Sequence, residues 1–191
     1  KGKPVLVSGT DPRAMASVEV DANLPNTNKK SLVDMGEYAI YASPDGLVLA
    51  TNQGVQLISQ TFFTRDQWQA YYPENIEAYE YEGKYIGFTW DGSDSSTKKG
   101  FLFDPRGQKN AFIDLDFYAH AGYNDRENDE LYLVIGGTLK KFARSTSKRA
   151  YSWKSKEHYT NRPICPGVAK VSADSYASLT FKLFADGVLK H

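Results

Sequence analysis

Apolar and polar residues alternate with a period of two along most of this chain. The runs are short and are cut by glycine-containing corners, which predicts strands and hairpins rather than helices. The stretch 37–73, EYAIYASPDGLVLATNQGVQLISQTFFTRDQWQAYYP, sets the pattern. It predicts a strand over 38–42, a turn at Pro44-Asp45-Gly46, a return strand over 47–50, a turn at Asn52-Gln53-Gly54 and a third strand over 55–58. A short helix follows near residues 65–72. Thr64 is its N-cap, Gln67 stands at capping-box spacing, Asp66 lies in the first turn, and Pro73 stops it.

The same reading covers the rest of the chain. Strands are expected over 4–8 and 15–20, with a polar surface loop over 21–30. Residues 76–90 read as a hairpin turning at Glu82-Gly83. A long polar, mobile tip is expected over 91–99, then strands over 100–104 and 110–116 around a turn at 105–107. Residues 122–129 read as a polar loop, and 130–135 and 138–143 as a hairpin around Gly136-Gly137. The remainder, 151–191, reads as three further antiparallel strands with a proline-rich bend at 163–167, forming a last blade or the start of a small β-sandwich. The glycine corners at Gly46, Gly83, Gly137 and Gly187 recur at roughly 40–50 residues, the spacing of four-stranded propeller blades. No fixed motif repeats with them, so a partial propeller and a continuous β-sandwich both remain open. The expectation is an all-β chain of antiparallel hairpins, with a propeller-like domain over 1–150 and the further strands over 151–191. The chain starts without Met and stops just after a turn, and it reads as a fragment of a longer polypeptide.

Composition narrows the picture. The 191 residues carry 23 Lys+Arg and 23 Asp+Glu. That balance argues against specific nucleic-acid binding, which draws on a basic excess. The basic run 140–149 has no interleaved aromatics and reads as a solvated loop. No apolar run approaches the roughly 18 residues of a membrane span. Tyr is abundant, at 13 residues, which suits half-buried sheet faces. The single cysteine, Cys165, cannot form an internal disulfide and reads as a small apolar filler between prolines.

Candidate chemistry is sparse. Asp114 and Asp116, with Asp104 nearby in sequence, could pair as acid and base or hold a cation, but their alternation with Ile113 and Leu115 places them facing water. The acidic loop 124–130 lacks the mid-loop glycine of an EF-hand. Ser43 sits in a hairpin corner rather than a strand-to-helix elbow. His120, His158 and His191 have no ligand spacing. Trp68, Trp90 and Trp153 could stack on a sugar, although such residues are more often core or interface anchors. No catalytic, cofactor-binding or metal-binding residue is assigned, and no cofactor is expected.

The central motifs carry a resemblance. VDMGEYAIYASPDGLVLATNQGVQLIS followed by FFTRDQWQAYYPENIEAYEYEGKYIGF resembles a family of tailed-phage and prophage virion proteins. The shared elements are the YASPDGLV hairpin at 41–48, the T-x-x-Q-W helix at 64–68, Pro73, and the A-Y-x-Y-x-G-K-Y-x-x-F hairpin at 78–88. LVSGTDPRAMASV at 6–18 resembles that family's opening to the same region, and WKSKEHY and LTFKLFADGVL resemble its later strand pairs. The resemblance implies a non-enzymatic structural component of a phage or prophage tail, propeller-like and similar to the nozzle proteins of short-tailed phages. It implies self-association in a ring, contacts with other tail proteins, and a place in the virion, assembled in the bacterial host cytoplasm. The alternative is a carbohydrate-binding or glycan-cleaving adsorption module, motivated by Trp90, the acids at 114 and 116, and the tip over 91–99.

Overall fold

The computed structural model describes residues 3–20, 23–106, 111–147, 149–155, 157–163, 168, 170–172 and 178–190. The chain divides into two compact units, Lys1–Lys148 and Arg149–His191. As the alternation predicts, it is an all-β protein, and its described residues form small antiparallel sheets and one short α-helix.

The first unit opens with a hairpin of β1 (Val5–Ser8) and β2 (Ala16–Glu19). Three meander sheets follow, each built from consecutive strands. Sheet one holds β3 (Val33–Asp34), β4 (Ala39–Ser43), β5 (Gly46–Thr51) and β6 (Gly54–Leu57). After helix α1 (Arg65–Gln69) comes sheet two, with β7 (Glu77–Tyr81), β8 (Lys84–Thr89), β9 (Lys99–Asp104) and β10 (Ala111–Leu115). Sheet three holds β11 (Ala121–Asp125), β12 (Glu130–Ile135) and β13 (Thr138–Lys141). The first strand of each sheet lies toward the first strand of the next, β3 against β7 and β7 against β11. This is a blade-like arrangement, with two four-stranded sheets and a three-stranded one.

The sheets stack face to face around two apolar seams. Register assigns the faces, because directly opposed residues share a side. Tyr85 opposes Phe103, and Gly87 opposes Phe101. These residues face sheet one, where Tyr85, Phe101 and Phe103 join Val33, Ile40, Ala42, Leu47, Trp68 and Ile76 in one buried cluster. Ile86 and Phe88 point the other way and meet Leu131 and Leu133 of sheet three. Sheet two is therefore covered on both faces. This explains why GFLF at 100–103 carries no polar residue: a strand buried on both sides has none to alternate with.

The turns follow local chemistry. Glu82 (φ 50°) and Gly83 (φ 73°) are consecutive left-handed residues, as are Gly136 (φ 59°) and Gly137 (φ 77°). Such pairs make the two-residue hairpin turns whose twist matches that of the strands. Helix α1 forms the expected capping box: the Gln67 amide donates to Thr64 Oγ1 at 3.3 Å, and the Thr64 amide donates to Gln67 Oε1 at 2.9 Å. Thr64→Ala is expected to cost about 1 kcal/mol, seen as a lower urea midpoint with an unchanged slope. The helix is shorter than the expected 65–72. Tyr72 turns left-handed (φ 48°) ahead of Pro73, and the Thr89 hydroxyl is placed to donate to the carbonyls of Tyr71 (2.7 Å) and Tyr72 (3.2 Å).

Other expectations need correction. Residues 122–125 of the expected 122–129 loop belong to β11, whose Tyr123 opposes Tyr132. The loop-like residue Gly122 is needed in that strand because a Cβ there would lie 2.8 Å from the Tyr79 ring. The expected surface loop over 21–30 contains a staple between sheets. Thr27 Oγ1 is placed to donate to the carbonyls of Ala42 (3.0 Å) and Pro73 (2.8 Å), and Asn28 Nδ2 donates to the Ile76 carbonyl at 2.9 Å. Ser31, at the end of the following 3-10 turn, is fully buried and accepts at its carbonyl from the Tyr85 hydroxyl at 2.9 Å.

For 151–191 the sequence predicts three strands. Among the described residues of the second unit the strands are β14 (Phe184–Ala185) and β15 (Val188–Leu189), which pair around Asp186-Gly187. Tyr151, Trp153 and Tyr159 are 80–90% exposed. Their alternation suits a strand, but a strand also needs a ladder partner, and alternation does not supply one. Most of the proline-rich bend, including Cys165, and His191 lie outside the described residues.

Candidate docking faces and the fate of the polar motifs

Sheet three has one covered face and one open face. Leu131 and Leu133 point inward, so the alternate residues Tyr132 and Val134 point out, with Tyr123, Ala121 and Leu139 opposite them. Tyr123 is 66% exposed and Leu139 65%. At the rim, Glu130 receives the Lys141 ammonium and the Tyr132 hydroxyl, with Arg144 Nη2 3.7 Å away. These cations and the hydroxyl hold the Glu130 carboxyl below the usual carboxylate range. Exposed Tyr and Leu beside a charged rim have the composition of a protein-binding patch.

A second apolar surface lies on the far side of sheet one. There a groove of about 440 Å³ runs between the β1–β2 hairpin and the sheet, lined by Val5, Leu6, Leu32, Tyr41, Ala50 and Val55 among others. The hairpin itself exposes Val5, Val7 and Val18 by more than half. A two-stranded ribbon with apolar residues exposed on both faces has little stability of its own.

Among the described residues of the first unit, those singled out for chemistry do not converge. Asp104 opposes Ala111, whereas Asp114 opposes Phe101, so the two acids stand on opposite faces of sheet two. Asp104 accepts from Arg106 Nε at 2.9 Å, and Asp114 from the Tyr71 hydroxyl at 2.8 Å. Burial, and then this acid, push the Tyr71 hydroxyl well above its usual range. Asp116 is exposed, as is Asp114, in keeping with acids facing water. In the acidic loop, Asp125 accepts from the amides of Glu127 (3.2 Å) and Asn128 (3.3 Å), which makes it a turn-capping residue. Ser43 is buried and caps its own corner, receiving the Asp45 amide at 3.2 Å. His120 packs edge-on against Tyr118, and His158 is exposed. No group of three or more His, Cys, Asp or Glu suited to a metal ion occurs among the described residues. No helix among them is long and apolar enough to cross a membrane.

Within the first unit, Trp68 and Trp90 do not share one platform. Trp68 is fully buried, and its indole donates to the Ser43 carbonyl at 2.8 Å. Trp153 lies in the second unit and is 80% exposed. Trp90 is half-buried at the end of β8, where Lys98 lies over its ring. Between them is the polar tip, which is tightly tied rather than loose. Asp91 Oδ1 accepts from the amides of Ser93 (2.8 Å) and Asp94 (2.6 Å), and the Asp91 amide donates to Thr97 Oγ1 at 3.0 Å. Asp94 in turn accepts from the Ser96 amide at 2.8 Å.

Amide hydrogen bonds to Asp91, and the Ser96 hydroxyl and amide at Asp94, hold both carboxyls below the ordinary 3.8. A depressed carboxyl stabilises the fold above its unfolded pKa, and that contribution is lost as pH falls through the folded value. The tip is therefore expected to stay closed at pH 4 and to open only in stronger acid. The Ser93 and Asp94 amide resonances, followed by NMR through an acid titration, check this; movement complete above pH 4 would contradict it.

No protein-family model matches the chain, and no curated protein matches it.

Proposed function

We propose that the chain is a non-enzymatic structural component of a phage or prophage tail. It works by protein–protein contact, with copies of itself in a ring and with neighbouring tail proteins, in a virion assembled in the bacterial host cytoplasm. The observation that supports this reading best is the open face of sheet three, where Tyr123 and Leu139 project apolar surface into solvent beside the Glu130–Lys141 rim. Exposed apolar patches rimmed by polar residues mark interaction surfaces. The separation of Asp104 from Asp114 across sheet two also favours it over glycan cleavage, which needs two carboxyls facing one bond. The motif resemblance at 41–48, 64–68 and 78–88 supplies the phage context.

The test is assembly. Sedimentation velocity of the purified chain, alone and with isolated tail proteins, is expected to give a defined oligomer and incorporation into tails. Tyr123→Glu with Leu139→Glu leaves both residues solvated in the monomer and is expected to abolish assembly while preserving the thermal melt. A chain that stays strictly monomeric and never enters particles would overturn the reading.

A further inference from the structure

The tip over 91–97 is a closed loop whose feet carry Trp90 and Lys98. The Asp91 amide to Thr97 Oγ1 bond ties its base, and the Asp91 and Asp94 carboxylates tie its crown. Trp90 is anchored from behind, since its carbonyl accepts from Asn75 Nδ2 at 3.0 Å. Tyr118 arrives from the connection between sheets two and three and packs edge-on against the buried ring of Phe88. The Lys98 ammonium stands between the two rings, 5.1 Å from the centroid of Trp90 and 5.3 Å from that of Tyr118. Both rings are half-buried, and the exposed His120 flanks Tyr118.

Within the first unit Lys98 is distinctive in its partners. Lys30, Lys84 and Lys141 meet Glu77, Glu82 and Glu130, and Lys99 donates to the Ala70 carbonyl. Lys29 and Lys140 are exposed to water. Lys98 is half-buried, and its ammonium faces aromatic rings with no oxygen acceptor among the described residues. A lysine in that setting has donors left for an anion, while the rings beside it offer flat apolar surface. Aromatic faces beside an ammonium that has no anionic partner suit a ring-shaped, hydroxylated ligand that bears a negative charge. The tied loop means that little ordering cost remains at binding.

We propose that Trp90, Tyr118 and Lys98 form a binding site for an acidic saccharide: the sugar face displaces the Lys98 ammonium from the rings, and the ammonium swings aside to donate to the sugar's carboxylate. The site goes beyond the assembly reading and does not rest on it.

The full chain is titrated with sialyllactose and with a hyaluronan tetrasaccharide, using lactose as the neutral counterpart, and binding is followed by isothermal calorimetry and by NMR shifts of the Trp90 indole. Saturable binding of at least one acidic sugar at millimolar concentration or tighter is expected, with lactose weaker. Lys98→Met keeps the aliphatic stem and removes the charge; it is expected to weaken acidic-sugar binding about tenfold or more while leaving the thermal melt in place. Trp90→Ala is expected to abolish binding, and should that variant unfold, Lys98→Met alone decides. Failure of both acidic sugars to saturate, equal affinity for lactose, or unchanged affinity in Lys98→Met overturns the proposal. None of these outcomes bears on oligomer formation, so the two readings fail separately.

Discussion

Replacing Trp68 with alanine is expected to destabilise the first unit by about 3–5 kcal/mol, the range for deleting a large buried aromatic. Trp68 is fully buried in the seam between sheets one and two, stacked on Tyr71 at 5.9 Å and edge-on to Phe101 at 6.2 Å. The loss has a second component. The indole hydrogen bond serves the carbonyl of Ser43, itself in a buried corner, and alanine leaves that carbonyl without its donor. Trp68→Phe separates the two effects: it keeps most of the apolar contact and removes the donor, for a loss of about 1–3 kcal/mol. Urea unfolding of both variants against the parent checks the order. If Trp68→Ala costs no more than Trp68→Phe, the seam is held by something other than this ring.

The second large effect is expected from adding one methyl group. A Cβ at Gly87 would stand 2.3 Å from Cζ and 2.6 Å from Cε1 of Phe101, its partner across β8 and β9. Phe101 cannot withdraw easily, because Tyr71, Tyr85, Phe112 and Trp68 surround its ring at 5.0–6.2 Å. Overpacking of this kind costs about 1–3 kcal/mol, even though alanine is ordinarily the better strand residue. The cause is specific and so is its relief. Phe101→Leu opens space while costing stability of its own, and the double variant is expected to lose about 1 kcal/mol less than the sum of the two single losses. Strict additivity in that cycle would mean that the backbone, not the Phe101 ring, absorbs the clash.

Much of the fold is legible in the residues. Thr64 and Gln67 announce the helix start, and Glu82-Gly83 and Gly136-Gly137 announce hairpins, because these features depend on groups within a few residues of one another. The misreadings share a cause of the opposite kind. Gly122, Asn124 and Asp125 look like turn residues, yet they pair with β12; what selects glycine at 122 is the ring of Tyr79, 43 positions away. Thr27 and Asn28 look like loop residues, yet their partners are Pro73 and Ile76, 46 and 48 positions along. The same limit applies to the candidate sites. Trp90 and the polar tip are conspicuous in sequence, but the meeting of Lys98 with Tyr118 depends on how sheet three follows sheet two. The opposite facing of Asp104 and Asp114 follows at once from register, and register is not written in alternation alone.

The middle sheet has no side it can spare. Side chains of β8 and β9 press alternately on one neighbour and then the other, so any exchange there is felt across a seam whichever way the residue points. Related sequences should therefore drift in their corners and outermost strands, while 84–89 and 100–103 change only in concert with the residues they press upon.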